Sequence, residues 1–230
     1  MDGRQLLARC ALFEGLSADE RQALIAHAHM RKCAADETIF LMGSPGDSMM
    51  AVLGGNVRIS VPSSDGKEIV LAMLGPGEIF GEIALLDGKE RTADARATTE
   101  CTLAVLERRD VRAFFERHPN AWAGLVDMLC ERLRATDLQM AEMALLGLPV
   151  RLAKTLLRMA AASAGPANGQ SASHIRLSQR ELGNLVGATR ESVNKCLRDW
   201  QRKGIVRTAE SLITIANRPA LEDLAELERS

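Results

Sequence analysis

The stretch that most restricts the fold is Phe80-Gly81-Glu82-Ile83-Ala84-Leu85-Leu86, followed by Asp87-Gly88-Lys89-Glu90 and then Arg91-Thr92-Ala93. Gly81 lets the backbone turn sharply and come close to a ligand. The apolar run Ile83-Ala84-Leu85-Leu86 then starts one short helix, whose first N–H groups have no intrahelical partner and form a ready anion site. Arg91 can return a guanidinium to the same point and grip a phosphate through a fork of N–H donors. Thr92 adds a hydroxyl. Glu82 is the odd member, because a carboxylate repels a bare phosphate. It makes sense if the ligand also offers a hydroxyl, as a ribose 2′-OH does. One phosphate charge with one free ribose hydroxyl describes a 3′,5′-cyclic nucleotide.

The flanking chain changes character twice. Residues 2–12 and 17–29 carry helical spacing of apolar residues, with Ser17 and Glu20 placed as a capping box. From Met30 to about Glu107 there are short runs at 38–41, 49–53, 56–61, 69–73 and 101–106, separated by glycine- and proline-containing turns. That spacing predicts an antiparallel barrel or roll, interrupted by the stretch above. Arg108 to Arg117 reads as a short helix. A long helix is expected from about Asn120, where Trp122, Leu125, Leu129, Leu133, Thr136, Met140 and Met143 recur every three or four residues. Such an a/d-like stripe suits a two-stranded coiled coil. Gly147-Leu148-Pro149 breaks this helix and marks a hinge-like boundary. Val150 to Ala162 is helical again, and 163–173 reads as a flexible loop.

The C-terminal part has its own punctuation. Ser178 is placed as an N-cap with Glu181 completing a second capping box, and the helix ends at Gly187. After the turn Ala188-Thr189, a second helix runs from Arg190 to Lys203 and stops at Gly204. Val193, Cys196, Leu197 and Trp200 fall on one face, leaving Arg190, Glu191, Asn194, Lys195 and Arg198 outward. This is a helix-turn-helix, with polar side chains at the start of the second helix, where base edges are read. Ile205-Val206-Arg207 and Leu212 to Ile215 supply a two-stranded wing. The net charge of the 230-residue chain is −1, but Arg176 to Arg207 holds eight Lys/Arg against three Asp/Glu. A basic module on a neutral-to-acidic body points to DNA.

Other classes find little support. The five cysteines are scattered, with no Cys-x-x-Cys pair, and read as reduced structural thiols. His27 and His29, two apart in the expected 17–29 helix, lie on different faces, while His118 and His174 are isolated, so no metal set is expected. No apolar run approaches the ~18 residues of a membrane span, and a signal peptide's cationic start is missing. The expectation is a cytoplasmic protein with no membrane partner. A phosphodiesterase would need metal ligands or a positioned base to activate water, and neither is apparent.

The motif Phe-Gly-Glu-Ile-Ala-Leu-Leu…Arg-Thr-Ala resembles the phosphate-binding cassette of cyclic-nucleotide-binding domains. Leu177-Ser178-Gln179-Arg180-Glu181-Leu182-Gly183 through Val193 is similar to the DNA-binding module of the cyclic-AMP receptor protein/fumarate-nitrate regulator (CRP/FNR) family of bacterial transcription factors, and Pro149 to Leu157 fits its post-hinge helix. The likeness covers nearly the whole chain, in order. It implies an α+β fold: a cyclic-nucleotide-binding antiparallel β-roll (1–117), a dimerisation helix and hinge (118–148) and a winged helix-turn-helix (149–230).

By that resemblance, the backbone at Gly81, Ile83 and Ala84 contacts the nucleotide, and Glu82, Arg91 and Thr92 hold its ribose hydroxyl and cyclic phosphate. The base is met from the long helix at Thr136 and Asp137 of a homodimer joined through 120–146; in the family these positions supply two hydroxyls, one from each subunit. The family has Thr-Ser there, so Asp137 departs. A carboxylate suits the N1–H and N2–H₂ of guanine better than adenine, and Thr92 in place of serine also occurs in cyclic-GMP sites. Cyclic AMP is nevertheless the expected effector, with cyclic GMP as the alternative and no cofactor. Arg190 donates to guanine and Glu191 accepts from cytosine of a palindromic TGTGA-type operator. Lys195, where arginine is common, keeps the charge without the fork. Ser178 and Thr189 hold phosphates; Gln179, Ser192 and Asn194 complete the DNA-facing set. RNA polymerase is an expected partner; contact through the 163–173 loop, as the equivalent loop makes in the family, stays open. Cysteine-ligated clusters, found in another branch, lack their ligands here, and the intact cassette disfavours haem. A ligand-independent DNA-binding protein with a vestigial cassette stays open as a rival.

Overall fold

The computed structural model describes residues 16–63, 68–163, 174–209 and 212–226. The expected helix at 2–12, most of the 163–173 loop and the Asp65-Gly66 turn lie outside them. By density of contacts the chain divides between Ala135 and Thr136 into two units.

In the first unit, α1 (Ala18–Ala26) is opened by Ser17, whose Oγ accepts from the Glu20 N–H at 3.3 Å while the Glu20 carboxylate accepts from the Ser17 N–H at 2.8 Å. The helix is shorter than its sequence spacing suggests. His27 caps it, and His29 belongs to β1 (His29–Cys33), which pairs antiparallel with β8 (Cys101–Glu107). One four-stranded sheet runs β1-β8-β3-β6, with β3 at Ser48–Gly54 and β6 at Ile79–Phe80. The other runs β2-β7-β4-β5, with β2 at Thr38–Phe40, β7 at Asp94–Ala97, β4 at Val57–Pro62 and β5 at Glu68–Leu74. Every pairing is antiparallel, as a roll requires.

The core explains why β3 and β8 read as unbroken apolar runs. Met50, Val52, Leu103 and Val105 face the second sheet, packing with Ile39, Val57, Ala95 and Phe80. Met49, Ala51, Leu53, Ala104 and Leu106 face the other way, onto Leu24, Ile25, Leu85, Phe114, Phe115 and Leu125. A strand buried on both faces loses the alternation of a half-solvated one.

Helix α2 (Glu82–Asp87) interrupts the roll, α3 (Arg108–Arg117) leaves it, and α4 (Ala121–Leu145) follows. Leu125 is buried in the roll's own core, whereas Val126 is 51% exposed. The exposed stripe therefore runs through Val126, Leu133 and Met140, seven apart, with exposed Trp122 and Thr136 and partly buried Leu129 and Met143 interleaved, Leu129 packing against the roll's core. Val126 replaces Leu125 in the expected stripe, because a helix lying on a core gives one of two adjacent apolar residues to that core.

In the second unit, α4 breaks before α5 (Leu148–Ser163), at the expected glycine and proline. The corner is braced. Arg151 donates to the carbonyls of Leu146 at 2.5 Å and Val186 at 3.1 Å. Buried Glu142 accepts twice from Arg158 Nη1 at 2.9 Å. The helix-turn-helix consists of α6 (Gln179–Val186) and α7 (Arg190–Arg202). Strands β10 (Val206–Ala209) and β11 (Leu212–Ile215) form the wing, to which β9 (His174–Arg176) adds a third strand in the order β10-β11-β9. Helix α8 (Arg218–Glu226) packs on α5 through Leu221. Among the described residues no helix is long and apolar enough to cross a membrane, and no group of three or more His, Cys, Asp or Glu could hold a metal.

Candidate ligand pocket and nucleic-acid interface

Gly81 ends β6 and caps α2 with φ 78°, a left-handed conformation that L side chains rarely adopt. A Cβ there would lie 2.6 Å from Arg91 Nη1. That contact is tight because Arg91 Nη1 donates to the Gly81 carbonyl at 2.7 Å, while Nη2 donates to Ser48 Oγ at 3.2 Å. The guanidinium also sits 4.3 Å from the centre of the Phe40 ring, within cation–π range. Backbone bonds from Arg91 N–H to Ser44 O (2.9 Å) and from Gly43 N–H to Arg91 O (2.8 Å) fix the loop that carries it. The Ala84 methyl is pressed against Gly46, where a Cβ would come within 2.3 Å of it.

Glu82 is 1% exposed. Its Oε1 accepts from Arg132 Nη1 at 2.6 Å, and Arg132 Nη2 donates to the Ile79 carbonyl at 2.6 Å. Thus α4 reaches the cassette directly. Sequence reasoning placed Arg132 on the polar face of α4; a partner fifty residues away leaves no local signal. Phe40 and Ser48 were missed for the same reason. The six expected cassette residues converge in this unit: Gly81, Glu82, Ile83 and Ala84 on one turn and Arg91 and Thr92 opposite, with Ile83 and Thr92 exposed. Thr136 and Asp137 are exposed positions of α4 in the other unit.

The electrostatics are unfinished within the protein. Burial pulls the Arg91 guanidinium below its ordinary pKa, against the carboxylates of Asp47 and Glu82, which favour its charge. Glu82 Oε2 and Arg91 Nε are both buried without a hydrogen-bond partner. Buried polar groups left unpaired are costly and rare. One of the two is an acceptor and the other a donor. A ligand bringing a hydroxyl and an anionic oxygen satisfies both kinds, so the residues present fit a cyclic nucleotide. Gly81→Ala tests this geometry: the variant must move Arg91 or leave the left-handed region, and nucleotide affinity is expected to fall at least ten-fold by titration calorimetry.

In the second unit, Ser178 Oγ accepts from the Glu181 N–H at 3.2 Å and donates to its carboxylate at 2.7 Å. Gly187 turns the chain with φ 62°, and a Cβ on Gly183 would meet the Ala188 carbonyl at 2.7 Å. These glycines set how closely α6 and α7 join. Thr189 caps α7, accepting from the Ser192 N–H at 3.2 Å. Ser178 and Thr189 are therefore helix caps as well as expected phosphate contacts.

Val193, Leu197 and Trp200 are buried, with Cys196 only partly so. Arg190, Glu191, Lys195 and Arg198 are exposed, Gln179, Ser192 and Asn194 partly buried. Glu191, Asn194, Lys195, Arg198, Gln201 and Arg202 line one open groove. Arg202 and Lys203 pair with Asp199, holding its carboxyl below the usual range. Arg190, Lys195 and Arg198 make no ion pair with any described residue, so their charge is available to an external anion.

Residues 30–118 match the family described as "Cyclic nucleotide-binding domain", and residues 150–224 the "Crp-like helix-turn-helix domain". The chain is 31% identical over 213 residues to a "CRP-like cAMP-activated global transcriptional regulator" of Mycobacterium tuberculosis, covering 93% of this chain and 95% of the other. It is 32% identical to the "Cyclic AMP receptor protein" of Thermus thermophilus, with 93% and 96% covered. Among solved structures it resembles the "c-di-GMP Responsive Global Regulator" of Xanthomonas campestris, with TM-score 0.77, 25% identity, and 87% and 100% covered.

Proposed function

This chain belongs to the CRP/FNR family of cyclic-nucleotide-binding transcription regulators, and from that premise we propose that cyclic AMP is the effector that switches it onto a palindromic TGTGA-like operator. It is a DNA-binding regulator, not an enzyme. The observation that carries the cyclic-nucleotide reading is the pair of orphaned buried atoms with opposite needs, Glu82 Oε2 and Arg91 Nε; the choice of cyclic AMP leans on the relatives of Mycobacterium tuberculosis and Thermus thermophilus named for it.

In this reading Arg91 and Thr92 take the phosphate, Glu82 takes the ribose hydroxyl, and the backbone of Gly81, Ile83 and Ala84 lines the pocket. Thr136 and Asp137 meet the base. Two chains associate through residues 120–146, along the exposed Val126, Leu133 and Met140 stripe, so that their α7 helices stand about 34 Å apart, one turn of DNA. Arg190 and Glu191 read a guanine and a cytosine, Lys195, Asn194, Ser192 and Gln179 add contacts, and Ser178 and Thr189 hold phosphates. Residues 1–117 bind the effector, 118–148 form the dimer helix, and 149–230 bind DNA. Such a protein works in the cytoplasm and contacts RNA polymerase.

The nucleotide acts as a population shifter. Moving an equilibrium from 1:99 to 99:1 requires about 5.5 kcal/mol of differential binding, within the range of a buried Arg–phosphate pair together with base contacts.

A second reading, cyclic GMP, is favoured by Asp137, whose carboxylate suits two adjacent guanine donors. Calorimetric titration of both nucleotides into wild type and Asp137→Ser separates them. Cyclic AMP is expected to bind wild type at least ten-fold tighter, and the serine variant to lose cyclic GMP affinity further. Tighter binding of cyclic GMP by wild type would reverse the assignment.

A further inference from the structure

A second guanidinium, partly buried, lies behind the cassette. Arg108, the first residue of α3, sends its Nη2 to the Gly46 carbonyl at 2.7 Å and the Ala84 carbonyl at 2.8 Å, with the Asp47 carboxylate at 3.3 Å. Its own N–H donates to the Asp47 carbonyl at 2.8 Å, and its Nε is buried without a partner. Arg108 thus joins three segments distant in sequence: the loop before β3, the first turn of α2, and the start of α3.

Two of those segments enclose Arg91. Gly46 packs so closely that a Cβ there would meet the Ala84 methyl at 2.3 Å and Arg91 Cδ and Nε at 3.2 Å. The space in which the Arg91 side chain runs is therefore bounded by the Gly46 backbone and by Ala84, and Arg108 ties the carbonyls of both. Losing that tie takes the Arg108 donor from the buried Gly46 carbonyl and leaves the Ala84 carbonyl only the Gly88 N–H at 3.1 Å. It also frees the Gly46 loop to drift from α2, which would widen the cleft that aims Arg91.

We propose that Arg108 is a positioning residue for nucleotide binding: it fixes Gly46 and Ala84 around Arg91, so that the phosphate-gripping guanidinium is held before the ligand arrives. The inference rests on the effector reading above. Pre-organised groups bind without the cost of ordering at the moment of binding, so the effect belongs in affinity. Lysine carries three donors on one nitrogen, and one nitrogen of Arg108 makes all three side-chain contacts, so Arg108→Lys should rescue in part. Arg109, 84% exposed beside it and paired among the described residues with Asp110 alone, controls for loss of charge.

The test is calorimetric affinity for cyclic AMP in the full chain, for wild type, Arg108→Met, Arg108→Lys, Arg109→Ala, Arg91→Lys and the Arg91→Lys/Arg108→Met double variant. Arg108→Met is expected to weaken binding at least ten-fold, Arg108→Lys to lie between it and wild type, and Arg109→Ala to stay within two-fold. In the double variant the Arg108 change should cost several-fold less than in wild type, because the group it positions is already impaired. A general loss of fold would cost the same in both backgrounds. Affinity within two-fold of wild type for Arg108→Met overturns the proposal, as does full additivity; if Arg108→Met does not fold, wild-type affinity in Arg108→Lys with no coupling to Arg91→Lys does so. A wild type that binds neither cyclic AMP nor cyclic GMP refutes the effector reading itself, and this inference with it.

Discussion

Arg91→Ala is expected to abolish the response to nucleotide while leaving the protein folded. The guanidinium is buried, borne on a loop tied by backbone bonds to Gly43 and Ser44, and braced by Phe40, Ser48 and Gly81. In the proposed site, its removal takes away the guanidinium that would face the phosphate. Deleting one partner of a buried charge pair costs about 3–5 kcal/mol, so nucleotide affinity should fall at least about 100-fold. The fold should survive, because the bonds that tie its loop, from Arg91 N–H to Ser44 O and from Gly43 N–H to Arg91 O, are backbone bonds that alanine keeps. Calorimetry on the variant, with its melting temperature as the control, checks both halves. Retention of affinity within ten-fold would remove Arg91 from the phosphate site.

Leu133→Glu carries the second large effect. Leu133 is 61% exposed on α4, between Val126 and Met140, which are likewise exposed. A glutamate there costs the isolated chain little, since no core is disturbed. In a two-stranded seam it places two carboxylates against each other in an apolar interface. Sedimentation equilibrium should show a monomer at concentrations where wild type is dimeric. Operator affinity should fall by at least about 100-fold, because one half-site contributes only part of the binding energy. A variant that stays dimeric would place the subunit contact elsewhere.

What could be read from the sequence follows the range of the interactions. The cassette, both capping boxes and the helix-turn-helix were legible because their chemistry is local. Ser17 needs Glu20 three residues on, Gly81 needs a left-handed turn, and Gly187 ends a helix. Strands β3 and β8 declared themselves as apolar runs because both faces are buried. Strand β1 did not: His-Met-Arg-Lys-Cys buries only Cys33, and its pairing with β8 makes it a strand. Strand β7, Asp-Ala-Arg-Ala, has no β-branched residue and depends on β2 and β4 for its conformation. At two residues, β6 is too short to carry a pattern. The Leu125/Val126 choice could not be made from spacing, since both fit three-or-four periodicity and only the roll's core decides between them.

The same division holds within the pocket. Glu82 and Arg91 were visible as an acid and a base flanking a turn. The residues that hold them, Arg132 for the carboxylate and Ser48 and Phe40 for the guanidinium, come from elements far along the chain. Arg132 is the more consequential of these. It lets the acid that would take the ribose hydroxyl be held by the long helix itself, so that occupancy of the pocket and the setting of α4 share one ion pair.

The central claim is that nucleotide binding tightens the grip on DNA. It is tested most directly by operator-fragment affinity at one fixed salt concentration, with no nucleotide, with cyclic AMP and with cyclic GMP. Fixed salt matters because phosphate contacts make such affinities steeply salt-dependent. Cyclic AMP is expected to tighten binding at least ten-fold and to leave a scrambled fragment unaffected. Equal affinity in all three conditions would contradict the account and leave a DNA-binding protein whose cassette does not gate it.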